Sequence, residues 1–151
     1  MSLYLPDEAA TIEFADRLHA RLPADIAGWT ILLDGELGTG KSTLARALIR
    51  AMGHPGTVPS PTYTLVEPYA LSRGNVYHVD LYRISDEEEL RYLGWNELED
   101  GFRLVEWPDR APTLAAGADL RLQLSYEDAG RRLELTGLSE RGESLVRQLS
   151  T

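Results

Sequence analysis

Residues 29–43 read WTILLDGELGTGKST. The first part, Trp29 to Asp34, is a near-continuous apolar run, the pattern of a strand covered on both faces. The second part, Gly35 to Ser42, fits G-x-x-x-x-G-K-[ST], a glycine-rich loop whose main-chain amides cradle phosphates. The third part opens Ser42–Met52 (STLARALIRAM), which predicts a helix ended by Gly53, with Pro55 just beyond. Strand, glycine-rich loop and helix in this order are the context the motif requires. Lys41 is the only lysine in the chain; the other fourteen of the fifteen basic side chains are arginine. A compact ammonium on a flexible stem can reach a β- or γ-phosphate, where a guanidinium is a wider fork. The stretch therefore predicts an α/β phosphate-binding (P-loop) fold.

Working outward, residues 11–22 predict an amphipathic helix with Thr11 as N-cap and Ile12, Ala15, Leu18 and Leu22 on one face. Residues 53–61 hold two glycines and three prolines and predict a loop. Residues 63–66 predict a short strand that Pro68 limits or places at an edge. After a turn at 72–75, residues 76–82 (VYHVDLY) predict a strand paired with it. Residues 86–93 predict a short helix, capped by Ser85 or Asp86, and residues 102–107 a further strand stopped by Pro108. Residues 120–126 and 132–136 alternate with period two, as antiparallel strands with one solvated face do. A last helix is expected over about 142–149. One α/β domain spanning 1–151, with a single mixed central sheet that includes antiparallel strands and is flanked by helices, is the expected architecture.

Three more segments carry candidate chemistry. Ser60-Pro61-Thr62-Tyr63-Thr64 places hydroxyls in the loop after the helix, where one can sense a γ-phosphate or simply close a turn. Asp80 interrupts an apolar strand; a magnesium ion or its bound water offsets the cost of burying that carboxylate, and a solvated strand face is the alternative. Glu106 ends the strand 102–107, and sites gather at the carboxyl ends of strands in α/β sheets. There it can hold magnesium or orient an attacking water. Trp107 beside it can stack on adenine or a partner, or complete the core.

Composition narrows the class. The chain has 151 residues, a formal net charge of -9 and no cysteine, which excludes disulfides and thiolate chemistry. Histidines 19, 54 and 78 lack metal-ligand spacing. No apolar run spans a bilayer, and residues 1–11 have no secretory pattern, so a cytoplasmic protein is expected. An acidic surface disfavours direct grip on DNA or RNA. With its one lysine in the phosphate loop, the chain has no N-K-x-D guanine selector, so ATP with Mg2+ is expected rather than GTP. A small-molecule kinase and a nucleotide-switched adaptor are rival classes. The kinase needs an arginine-bearing lid, and only Arg50 and Arg73 lie between the loop's helix and the hairpin strand.

GELGTGKST, SPTYTLVEPY, VYHVDLYR, EEL followed by LG, and LVEWP occur in this order and spacing. The chain thereby resembles the bacterial TsaE family, densely over about 30–108 and more loosely at the ends. The resemblance implies a P-loop sheet with antiparallel strands, and an ATPase, weak alone, that supports formation of threonylcarbamoyladenosine in tRNA. It implies the TsaD–TsaB pair as partners and contact with tRNA only through them. It assigns nucleotide binding to Gly38, Thr39, Gly40, Lys41, Ser42 and Thr43, and γ-phosphate sensing to Thr62. Magnesium ligation falls to Ser42 with Asp80 and Glu106, which also share water activation in an order left open. Thr11 and Arg131 are implied as nucleotide contacts.

Overall fold

The computed structural model describes residues 1–61 and 64–151. Its seven strands are β1 (Ser2–Leu5), β2 (Thr30–Gly35), β3 (Val66–Leu71), β4 (Gly74–Asp80), β5 (Phe102–Glu106), β6 (Leu120–Glu127) and β7 (Gly130–Gly137). They form one sheet in the order β1-β7-β6-β2-β5-β4-β3. The four central strands β6, β2, β5 and β4 run parallel, while β3 pairs antiparallel with β4, and β7 antiparallel with both β6 and β1. The sheet is mixed, as expected, with its antiparallel strands confined to the two flanks.

Alternation along β2 explains the layering. Ile31 and Leu33 join the core under α1 (Glu8–Arg21), α2 (Lys41–Ala51) and α4 (Glu140–Leu149). Leu32, between them, joins a second core with Val79, Leu81 and Val105 under α3 (Glu89–Tyr92) and the 3-10 turns that follow it. Both faces of the central strands are thus covered, which is why β2 and β5 read as continuous apolar runs.

Several expected boundaries move. Asp7, not Thr11, caps α1: its carboxylate accepts the Ala10 amide at 2.9 Å. Thr11 lies inside the helix, and the buried stripe is Thr11, Phe14, Ala15 and Leu18, leaving Ile12 on the exposed side. Of the strand expected at 63–66, residue 63 lies outside the described residues; the observed strand runs from Val66 to Leu71 with Pro68 inside it. Position β3 at the sheet edge permits this, since a missing N–H costs nothing where no neighbour accepts it. The helix expected over 86–93 is α-helical only at Glu89–Tyr92, because Asp86 turns back on the Glu88 amide at 2.9 Å. α4 begins earlier than expected, with Ser139 as its cap. β1 had no counterpart among the expected strands.

Candidate functional site: a glycine-rich loop facing two buried carboxylates

The parallel strands bring three carboxyl ends together. β2 runs into the glycine-rich loop, and the register sets Asp80 beside Glu106 and Glu106 beside Leu33. The loop needs its glycines. Gly40, at φ 105°, forms the left-handed entry to α2, and no side chain caps that helix. Gly35 sits at φ 144°, where a Cβ would lie 2.5 Å from the Leu124 carbonyl oxygen. The first-turn amides of α2 have no intrahelical partner and point, with the positive end of the helix dipole, into the space above the loop.

That space is a cavity of about 330 Å3 lined by Gly38, Gly40, Lys41, Ser42, Thr43, Asp80, Glu106 and Trp107, among others. Lys41 is buried; its ammonium donates to the Gly35 carbonyl and lies 3.4 Å from the centre of the Trp107 ring. Burial pushes the Lys41 pKa down, and Glu106, Asp34, Asp80 and Asp109 push it back up. Two carboxylates, Asp80 and Glu106, share the cavity with one ammonium, which makes a poor seat for a triphosphate by itself and a good one for a triphosphate that brings a divalent cation. Ser42 Oγ donates to Glu106 Oε1 at 3.0 Å, and His78 Nε2 lies 2.5 Å from Glu106 Oε2. An ionised carboxylate can only accept, so in this contact the imidazole donates through an Nε2–H. His78 is fully buried and its Nδ1 has no partner among the described residues. Asp80 is 3% exposed, which removes the solvated-face alternative, and its carboxylate accepts the Tyr82 amide at 2.9 Å. Among the described residues no three His, Cys, Asp or Glu side chains converge on a metal position. Ser42, Asp80 and Glu106 are the side chains on the cavity that could hold a magnesium ion, which takes one or two carboxylates and fills the rest of its shell with waters and phosphate oxygens.

A second cavity, of about 230 Å3, adjoins the other side of the loop. Thr11, Thr39, Thr43 and Arg131 line it, together with Gly38 and Gly40. Arg131 grips the loop itself, donating to Thr39 O at 3.0 Å and Gly38 O at 3.3 Å, while Tyr126 donates to Leu37 O at 2.8 Å. The β6–β7 hairpin thus holds the loop from outside. Trp107 has a left-handed backbone (φ 59°) and packs on Tyr82 with ring centres 4.9 Å apart, in addition to roofing Lys41.

Of the residues expected at the site, Gly38, Gly40, Lys41, Ser42, Thr43, Asp80 and Glu106 meet in one cavity, and Thr11, Thr39 and Arg131 meet in the adjoining one. Thr62 lies outside the described residues. Two contributors had no assigned role, His78 and Tyr126. His78 had a signal, since it shares a strand face with Asp80 two positions away. Tyr126 had none, because it reaches the loop across 89 residues of chain.

A family model described as "Threonylcarbamoyl adenosine biosynthesis protein TsaE" matches residues 5–133. The chain belongs to the TsaE family. A TsaE of Haemophilus influenzae, called a tRNA threonylcarbamoyladenosine biosynthesis protein, is 34% identical over 155 residues, covering 99% of this chain and 98% of that protein. A Synechocystis TsaE is 38% identical over 119 residues, covering 76% of this chain and 74% of its own length. The crystal structure of Bacillus subtilus YdiB superposes with a TM-score of 0.75 over 99% of this chain and 93% of that one, at 24% identity, and so shares the fold. No helix among the described residues of this TsaE-family chain is long and apolar enough to cross a membrane.

Proposed function

We propose that residues 1–151 form one P-loop ATPase domain that hydrolyses Mg-ATP in support of tRNA threonylcarbamoyladenosine formation, acting on the TsaD–TsaB pair in the cytoplasm. The observation that carries this reading is the convergence of Lys41, Ser42, Asp80 and Glu106 on the cavity at the helix N-terminus. The curated relatives named for this tRNA modification supply the pathway.

The chain's own groups divide the work. The amides of residues 38–43 and the α2 dipole receive the phosphate oxygens. Lys41 exchanges the Gly35 carbonyl for the β- and γ-oxygens, where its charge stays through the reaction. Ser42 and Asp80 would hold magnesium, which supplies neutralisation of the charge that develops on the transferred phosphoryl group. Glu106 has one oxygen fixed by His78 and the other on the Ser42 hydroxyl; once Ser42 turns to the metal, that second oxygen orients the attacking water and accepts its proton. Thr11 and Arg131 flank the cavity next to the loop, which serves the nucleoside side. A surface of net charge -9 suits action on a protein pair rather than a direct grip on tRNA.

The test is phosphate release from ATP, measured with and without TsaD–TsaB and tRNA, for the parent chain and Lys41→Ala. Stimulation by the pair in the parent, absent in the variant, is expected. Equal stimulation of the variant would remove the phosphate assignment, and no stimulation of the parent would remove the partner assignment.

A further inference from the structure

A cavity of about 550 Å3 lies away from the phosphate loop, at the other end of the parallel strands. Thr30 and Arg103, near the first residues of β2 and β5, form its back, whereas the loop, Asp80 and Glu106 lie at the last residues of those strands or their neighbours. Its volume exceeds that of either cavity at the loop and falls within the range of small-molecule sites.

Its chemistry is unusual for a structural void. Arg103 is 8% exposed, yet it forms no ion pair among the described residues, and its Nε has no hydrogen-bond partner. The guanidinium instead lies over the Trp95 ring, 4.8 Å from its centre. Thr30 Oγ1, also on the cavity, is buried and without a partner. Buried charges are normally paired, because an isolated one forfeits its hydration. The carboxylates near Arg103 do not meet that need. Asp119 is occupied by Arg141, Ser139 and the Thr30 amide, and Glu99 stands exposed on the rim. Burial pushes the Arg103 pKa down, with Glu99 the leading opposing influence.

We infer that this cavity binds a free α-amino acid with an apolar side chain. Its carboxylate meets the Arg103 guanidinium in the fork geometry the two groups share. Its ammonium faces the exposed carboxylates of Glu88 and Glu99 on the rim. Its side chain covers Trp95, Leu90 and Leu114. The rim disfavours phosphate and nucleotides, because the carboxylates of Glu87, Glu88 and Glu99 outnumber the two cations, Arg91 and Arg103, that line the cavity. This binding is independent of the ATPase reading, since none of these residues touches the phosphate loop.

The experiment is titration of the full-length, isotope-labelled protein with L-leucine, followed through the Arg103 Nε–H and Trp95 indole resonances. Saturable shifts of both signals are expected, with a dissociation constant of about 1 mM or tighter. 4-Methylpentanoate, which lacks the ammonium, and N-acetyl-leucine, which imitates a peptide end, should each bind about tenfold more weakly. Arg103→Gln should abolish the shift, and Glu99→Gln, a surface change that spares the fold, should weaken leucine without affecting 4-methylpentanoate. Nucleotide binding by both variants should match the parent. No shift with leucine at about 10 mM, equal binding of N-acetyl-leucine, or a stronger response to inorganic phosphate would each overturn the inference.

Discussion

Glu106 and Asp119 are both buried carboxylates at the ends of parallel strands, and they are satisfied in opposite ways. Asp119, 4% exposed, accepts the Thr30 amide at 3.0 Å, the Ser139 hydroxyl at 2.7 Å and the Arg141 guanidinium at 2.8 and 3.0 Å. Together these partners tie β2 to the start of α4. Glu106, 2% exposed, has one hydroxyl and one imidazole, and it faces a cavity with a buried ammonium on the far wall. A saturated carboxylate holds elements together; an under-supplied one beside open space is placed for a ligand.

Substitutions can break this contrast. The largest effect is expected from Lys41→Ala, which should lower partner-stimulated hydrolysis by a hundredfold or more, roughly the weight of one preorganised charge contact. Urea unfolding of that variant should stay close to the parent. Glu106→Gln should lower turnover by about a hundredfold with nucleotide affinity retained, measured by single-turnover kinetics and equilibrium binding. Asp119→Asn should reverse the pattern, costing about 2 kcal/mol of unfolding free energy because Arg141 is half exposed, while turnover per folded molecule holds.

The same pair separates by pH. Burial opposes ionisation of Asp119, but the bonds from Arg141, Thr30 and Ser139 outweigh it and hold the carboxyl below its ordinary range. A carboxyl with a depressed folded pKa stabilises fully above its unfolded value, about 4, and the stabilisation fades as pH falls through the lower folded value. Unfolding midpoints should therefore drop steeply below about pH 4 in the parent and less steeply in Asp119→Asn. An identical acid slope in both would show that the network does not carry this dependence.

The smallest effects sharpen the picture around Glu106 and the loop. His78→Asn should reduce kcat by about tenfold at unchanged KM, because it loosens the carboxylate without touching the nucleotide. A change in KM alone would place His78 in the binding surface. Arg131→Gln should weaken nucleotide binding by about threefold to tenfold, the value of one or two charged hydrogen bonds to the loop.

What could be read from residue order follows sequence distance. The loop, Lys41 and Ser42 form one continuous motif, and Asp80 and Glu106 announce themselves by interrupting or ending apolar strands. The α1 cap was misplaced because Asp7, just after Pro6, competes with Thr11 and wins by accepting the Ala10 amide. β1 escaped because four residues show no convincing period, and its pairing with β7 is made across most of the chain. The Asp119 network and the Arg131 grip join positions 20 to 93 residues apart, and no local pattern encodes them. Nothing in the residue order around Arg103 marks its contact with the Trp95 ring.

The place of β2 in the sheet has a consequence for how the protein is made. Both its neighbours, β5 and β6, lie later in the chain, with Thr30 opposite Arg103 and Ile31 opposite Leu120. Until those stretches leave the ribosome, the nascent WTILLD segment has neither edge paired. At a synthesis rate of roughly 5–20 residues per second, that wait lasts on the order of 5–20 s. Truncated chains ending before residue 102 should thus be chaperone clients, and the cavity above the glycine-rich loop is among the last parts of the molecule to mature.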